Sequence, residues 1–209
     1  MAPRARRAYN SDLRRQGAER TRQSIVRTAH ELFLAKGYAS TTLKEIAEAA
    51  DVALPTVYAI FGTKRDLLLA VFNAARLGTV SEGLGHEHEP IEDMLPQPSA
   101  QLIAAEVTHT RRGGAPVARI IGKAAAADPH IADLWERTQA ARYANMRRVV
   151  QAMRRQGTLA EEVSASEAAD ILWTLTSNEL YELLVLDRGW MPARYEQWLA
   201  KMIDCALFS

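Results

Sequence analysis

The sequence predicts an all-α protein of about nine helices, with a small N-terminal helical module followed by a larger C-terminal helical domain. Three observations carry this. Apolar residues recur at three- and four-residue spacing along most of the 209 residues, the period of a helix with one buried face. Glycine (11) and proline (8) are sparse, and alanine, leucine and arginine, all good helix formers, are abundant. No stretch alternates apolar and polar residues as a half-buried strand does.

Taken in order, residues 1–17 are arginine-rich (Arg4, Arg6, Arg7, Arg14, Arg15) and without periodicity, and are expected to be a flexible basic arm. From about Glu19 the pattern turns helical, with Ile25, Ala29, Leu32 and Phe33 on one face and Gly37 as the stop. Thr42-x-x-Glu45 is a capping box opening a second helix with Leu43, Ile46, Ala47 and Ala50 on its apolar side. Asp51-Val52-Ala53 interrupts it. A short helix from about Leu54 to Ile60 follows, then a turn at Phe61-Gly62-Thr63 and a fourth helix holding Leu67, Leu68, Val71, Phe72 and Ala75. Residues 83–99, with Pro90, Pro96 and Pro98, read as a hinge. Beyond it, helices are expected at 99–112, 116–127, 130–156, 165–187 and 192–207. Gly113-Gly114, Asp128-Pro129, Gly157 and Gly189 punctuate them, and Ser164-x-x-Glu167 is a second capping box.

Charge is divided unevenly. Residues 1–76 hold thirteen Lys and Arg against seven Asp and Glu, a net of +6, whereas residues 77–209 hold thirteen against eighteen, a net of −5. Only the front part is therefore suited to a polyanion. The single cysteine, Cys205, allows no disulfide within the chain and fits a reducing cytoplasm; it reads as an apolar buried or interface residue. The basic N-terminus has no apolar stretch behind it, unlike a signal peptide, and no apolar run reaches membrane-spanning length. Paired carboxylates, nucleophile–base sets and phosphate-cradling glycine loops are not evident, which argues against an enzyme and requires no cofactor. His86-x-His88 with Glu82, Glu87 and Glu89 matches no tight metal spacing and reads as a solvated polar hinge.

Residues 42–60 are two short helices joined by a tight turn. The first packs inward. The second presents Leu54, Pro55, Thr56 and Tyr58 while Val57 points to the core, which suits insertion into a DNA major groove. Thr56 can reach a base edge or a thymine methyl, and Tyr58 a phosphate. Lys64 and Thr42 can add phosphate contacts at helix starts, and Lys44 can reach the backbone from outside. The basic arm can serve the minor groove or phosphates.

The stretch Arg22-x-x-Ile25-x-x-x-Ala29-x-x-Leu32-Phe33-x-x-x-Gly37-Tyr38-x-x-Thr41-Thr42-x-x-x-Ile46-Ala47-x-x-Ala50 resembles the tetracycline-repressor (TetR) family. Its continuation Val52-x-x-x-Thr56-Val57-Tyr58-x-x-Phe61-x-x-Lys64-x-x-Leu67 does so too. The resemblance covers about a quarter of the chain. It departs from the family pattern at Asp51, which replaces a glycine, at Ala53, which replaces a capping serine, and at Ala59-Ile60. The resemblance implies a helix-turn-helix DNA-binding domain at 18–76 (motif about 41–60) and an effector-binding and dimerisation domain at 77–209. It implies a homodimer, paired through the last two helices, on a palindromic double-stranded operator, released by a small-molecule effector. Residues 168–186 are apolar nearly all round, and Tyr195, Trp198, Leu199 and Met202 recur on the last helix, which agrees with a core face plus a partner face. Expected effector-lining residues are His109, Trp135, Asn145, Met146, Trp173, Thr176 and Asn178. The alternative is a helical small-molecule- or partner-binding protein whose DNA-binding module is weakened at Asp51, Ala53 and Ile60.

Overall fold

Helix formers run unbroken by proline from Arg4 onward, and in the structure, a computed structural model, the first helix starts there. Residues 4–78 and 97–208 are described, with side chains from residue 16. α1 spans Arg4–Lys36, so the segment expected as a flexible arm continues the helix backward from Glu19; nothing lies close enough to Gly17 to require a glycine there. α2 is Leu43–Ala49, α3 Leu54–Phe61 and α4 Lys64–Arg76. α5 is Ala100–Ala125, α6 Pro129–Gln156, α7 Ala165–Leu175 and α8 Asn178–Tyr181, which runs on as a π-helical turn Glu182–Asp187 into α9, Pro192–Leu207. Among the described residues the only β pairing is an isolated bridge between Leu159 and Phe208, and no helix is long and apolar enough to cross a membrane. The hinge and its His86/His88 group lie outside the described residues.

The chain divides into two units, Met1–Ala74 and Ala75–Ser209. In the first, α2 packs on α1 and α3, and Ile25, Ala29, Phe33, Ile46, Val57, Leu67, Leu68 and Val71 are fully buried. In the second, α5 packs on α6, α8 and α9, and α7 on α6 and α9. Its core includes Ile103, Val107, Val150, Met153, Leu172, Tyr181, Tyr195, Leu199 and Ile203.

Two expected helix boundaries are displaced, each for a physical reason. Gly113, Gly114 and Pro116 do not split α5. The glycines serve close approach instead: a Cβ on Gly113 would lie 2.1 Å from the Ala75 carbonyl oxygen, and one on Gly114 2.7 Å from Arg76 Cγ. Conversely, the apolar run 165–187 is broken at Thr176-Ser177. The Thr176 hydroxyl donates back to the Leu172 carbonyl at 2.6 Å, and the Ser177 hydroxyl accepts from Leu180 N–H at 3.2 Å to start α8. Such side-chain bonds compete with the helix ladder. Trp173, Leu183 and Leu186 on this run, expected to be covered on every side, are exposed in the single chain, as is Met191. Cys205, expected to be buried or at an interface, is exposed.

Candidate functional site

The turn between α2 and α3 shapes the front surface. Asp51 adopts the left-handed conformation, φ 55°, which aspartate tolerates better than most residues. Val52 N–H closes the end of α2 on the Ala47 carbonyl at 3.0 Å. Ala53 stands at the N-cap of α3, and its methyl makes no cap bond. Val57 and Phe61 face the core, Pro55 and Tyr58 are exposed, and Leu54 and Thr56 are half-buried. The Arg22 guanidinium lies 5.0 Å above the Phe61 ring, at the far end of α3.

Thr42, Lys44, Leu54, Tyr58 and Lys64, drawn from three helices and their caps, line one open depression of about 490 Å³ together with Thr41, Leu43, Gly62 and Thr63. Pro55 and Thr56 are not among its lining residues. Lys44 reaches outward, its side chain 74% exposed and only 3.8 Å from Glu48. Two of the expected DNA-facing residues have other engagements. Thr42 accepts from Glu45 N–H at 3.1 Å and donates to Glu45 Oε2 at 3.0 Å, while its own N–H donates to that carboxylate at 2.8 Å. The Thr42 N–H, and then Lys36, hold the Glu45 carboxyl below its ordinary range. Lys64 Nζ donates to the Thr41 carbonyl at 2.6 Å and sits 4.2 Å above the Tyr38 ring. Burial lowers its pKa, against the pull of Glu45. The start of α4 is capped by Thr63, which accepts from Asp66 N–H at 3.1 Å and donates to the Asp66 carboxylate at 2.6 Å.

In the second unit, the expected lining residues separate. Met146, Trp173 and Thr176 come together: the Thr176 hydroxyl is 3.6 Å from Met146 Sδ, and Arg142 Nη1 donates to the Trp173 carbonyl at 2.7 Å and to Thr176 Oγ1 at 3.3 Å. Asn178 is buried, with Oδ1 lacking a partner. Asn145 instead accepts from Arg148 on its own helix. His109 is exposed, close to Gly78, and Trp135 is half-buried. The sequence reading passed over Arg111, the most deeply placed charge of this unit. Its signal was available: Arg111 falls on the face of α5 shared by Ala104, Val107, Ala115 and Ala118, all buried.

Residues 25–71 match the family of bacterial regulatory proteins, tetR family. The HTH-type transcriptional regulator TcmR of Streptomyces glaucescens is 42% identical over 62 residues. That match covers 30% of this chain and 27% of TcmR, so the chain spans about a quarter of that relative's length. Solved structures match far more of the chain. NalD, the secondary repressor of the MexAB-OprM multidrug efflux pump in Pseudomonas aeruginosa, aligns with a TM-score of 0.64 at 23% identity, over 91% of this chain and 98% of NalD. SmeT in complex with triclosan aligns with a TM-score of 0.66 at 21% identity, over 90% and 92%. At these identities the likeness is one of fold.

Proposed function

We propose that this chain, whose residues 25–71 match the tetR family of bacterial regulatory proteins, is a homodimeric transcriptional repressor that leaves a palindromic operator when a small molecule binds its second unit. The observation that carries this reading is the α2–turn–α3 arrangement, in which an eight-residue helix buries Val57 and Phe61, exposes Pro55 and Tyr58 and leaves Thr56 half-exposed. A groove about 12 Å wide admits one such helix. Leu54, Pro55 and Thr56 meet base edges, Tyr58 gives its phenol to a phosphate, and Lys44 adds a phosphate contact. Thr42 and Lys64 act mainly by holding α2 and α4 in place, because their polar groups are already bonded within the module.

Dimerisation is supported by exposed Leu183 and Leu186 on the π-helical turn after α8 and Met191 at the N-cap of α9, apolar groups whose burial in a partner is favourable. An effector is supported by the polar groups buried around the end of α7 and by the structure of SmeT with triclosan. For release, the effector must bind the DNA-incompetent conformation more tightly than the competent one.

A second reading, a helical binding protein with a weakened DNA module, is favoured by one observation: α3 has no side-chain cap at Ala53 and no charged or amide side chain. The two are separated by titrating wild type, Thr56→Ala and Tyr58→Phe against a labelled site selected from random DNA. The regulator reading expects each variant to lose several-fold in affinity with unchanged thermal stability. Wild-type affinity retained in both would remove α3 from the interface.

A further inference from the structure

We propose that the second unit binds a carboxylate-bearing apolar effector, its acid group received by Arg111 and Arg142 at the C-terminal end of α7. The assignment rests on the reading of the chain as an effector-responsive regulator and names the chemical class of that effector.

Two guanidinium groups converge on one helix end. From α5, Arg111 donates to the Thr176 carbonyl through Nε (3.1 Å) and Nη2 (2.8 Å), and through Nη1 to Thr110 Oγ1 (3.4 Å). It is 7% exposed. From α6, Arg142 donates through Nη1 to the Trp173 carbonyl and Thr176 Oγ1 and through Nε to Gln139 Oε1 (3.0 Å). Its guanidinium lies 4.7 Å above the Trp173 ring. Every one of these acceptors is neutral. Among the described residues no carboxylate forms an ion pair with either arginine; Glu179 acts on both only from a distance.

A buried cation is normally paired, and a helix C-terminus supplies only about half a negative charge. Two guanidinium groups on one such end, Arg111 buried and Arg142 half-buried, therefore carry more positive charge than the helix end can offset. Burial, then the nearby Arg142 and Arg76, push Arg111 down to about 9. Burial pushes Arg142 down to about 10, although Glu179 acts against it. Capping α7 therefore explains the hydrogen bonds but not the charge.

Two uncharged buried polar atoms of the same unit also lack a partner. Tyr195, fully buried, has a hydroxyl with no hydrogen bond. Burial raises its pKa to about 12, against the nearby Arg111, so it is a neutral donor. Asn178 Oδ1, two residues beyond the Thr176 carbonyl, is a buried acceptor with no donor. Water would satisfy such atoms but brings no charge. A carboxylate would receive the remaining N–H groups of both arginines. Glu179 already attracts both arginines, so the charge left over suits a monoanion better than a phosphate dianion, and the apolar residues next to the arginines, Met146, Leu172 and Trp173, favour an apolar body for the rest of the molecule.

The test uses the full-length protein and three pairs of probes: benzoate and benzamide, 1-naphthoate and 1-naphthamide, decanoate and decanamide. Calorimetry is expected to show at least one acid binding once per chain, ten-fold or more tighter than its amide, and raising Tm. Arg142→Gln should reduce that preference below three-fold. Arg111→Lys, which keeps the charge but loses the fork, should weaken the acid more than the amide, and covers the case where larger changes at Arg111 prevent folding. The assignment is overturned if no acid binds, if the amides bind equally, or if both variants keep the wild-type preference. Release of labelled operator separates the two levels. An amide that binds as tightly as its acid and releases DNA preserves the effector reading and removes the acid class. An acid that binds with the expected preference but leaves the operator occupied preserves the site and removes the effector role.

Discussion

Lys64 Nζ donates a 2.6 Å hydrogen bond to the carbonyl oxygen of Thr41, twenty-three residues earlier, and so ties the first residue of α4 to the segment that precedes α2. The same ammonium stacks on Tyr38. A hydrogen bond from a charged donor and a cation–π contact together are worth about 1–3 kcal/mol when partly shielded. Lys64→Met should therefore lower the free energy of unfolding by about that amount and shift the urea midpoint down accordingly. Lys44→Met, whose partner is a single exposed carboxylate, should leave stability unchanged and reduce the salt dependence of operator binding by about one counterion. Urea denaturation and anisotropy titrations at several salt concentrations separate these two roles. Equal salt slopes for wild type and Lys44→Met would remove Lys44 from the interface.

Ala53→Ser should stabilise the module. The residue already has the extended backbone of an N-cap, φ −70° and ψ 138°, and lacks only an oxygen to accept the orphan N–H groups of α3. A serine cap contributes about 0.5–2 kcal/mol. The expected result is a Tm a few degrees higher; an unchanged Tm would mean that α3 gains nothing from a cap here.

The composition of α3, Leu54 to Phe61, constrains how bases are read. With no arginine, asparagine or glutamine on it, bidentate pairing to guanine or adenine is excluded for this helix, and apolar contact with thymine methyls is left to Leu54, Pro55 and the Thr56 methyl. Replacing the contacted thymines by deoxyuridine removes only those methyls, each worth on the order of 0.8 kcal/mol when buried. Affinity should fall about three- to five-fold per contacted methyl. A fully substituted site bound as well as the parent would contradict this mode of reading.

The exposed pair Leu183 (55%) and Met191 (72%) should lie in a subunit interface. Sedimentation is expected to show a dimer for wild type and a monomer with unchanged helicity for Leu183→Glu/Met191→Glu. A double variant that remains dimeric would place the interface elsewhere.

The local chemistry of the front module was legible in the sequence, because it acts over three or four residues. The Thr42–Glu45 capping box, the left-handed Asp51 and the uncapped Ala53 all follow from residue type and spacing. The bond from Lys64 to Thr41 was not legible, because its acceptor is a backbone carbonyl that any residue would supply. Gly113 and Pro116 read as a helix end when weighed by propensity alone. Their place inside α5 is decided by the approach of Ala75, a tertiary fact. The break at Thr176-Ser177 was hidden by the apolar residues around it, although Ser177 is a good N-cap. Arg111 had the clearest missed signal, a charge on the apolar face of an otherwise ordinary helix. The assembly of Met146, Trp173 and Thr176 around Arg142 depends on how α6 and α7 pack, which spacing within one helix does not encode.

Selection of bound sequences from a random DNA pool by the full-length protein tests the central claim most directly. The account predicts enrichment of one palindrome, bound in a salt-dependent manner by two chains and lost in the Thr56→Ala/Tyr58→Phe double variant. Binding without any enriched sequence, equal for wild type and double variant, would contradict it.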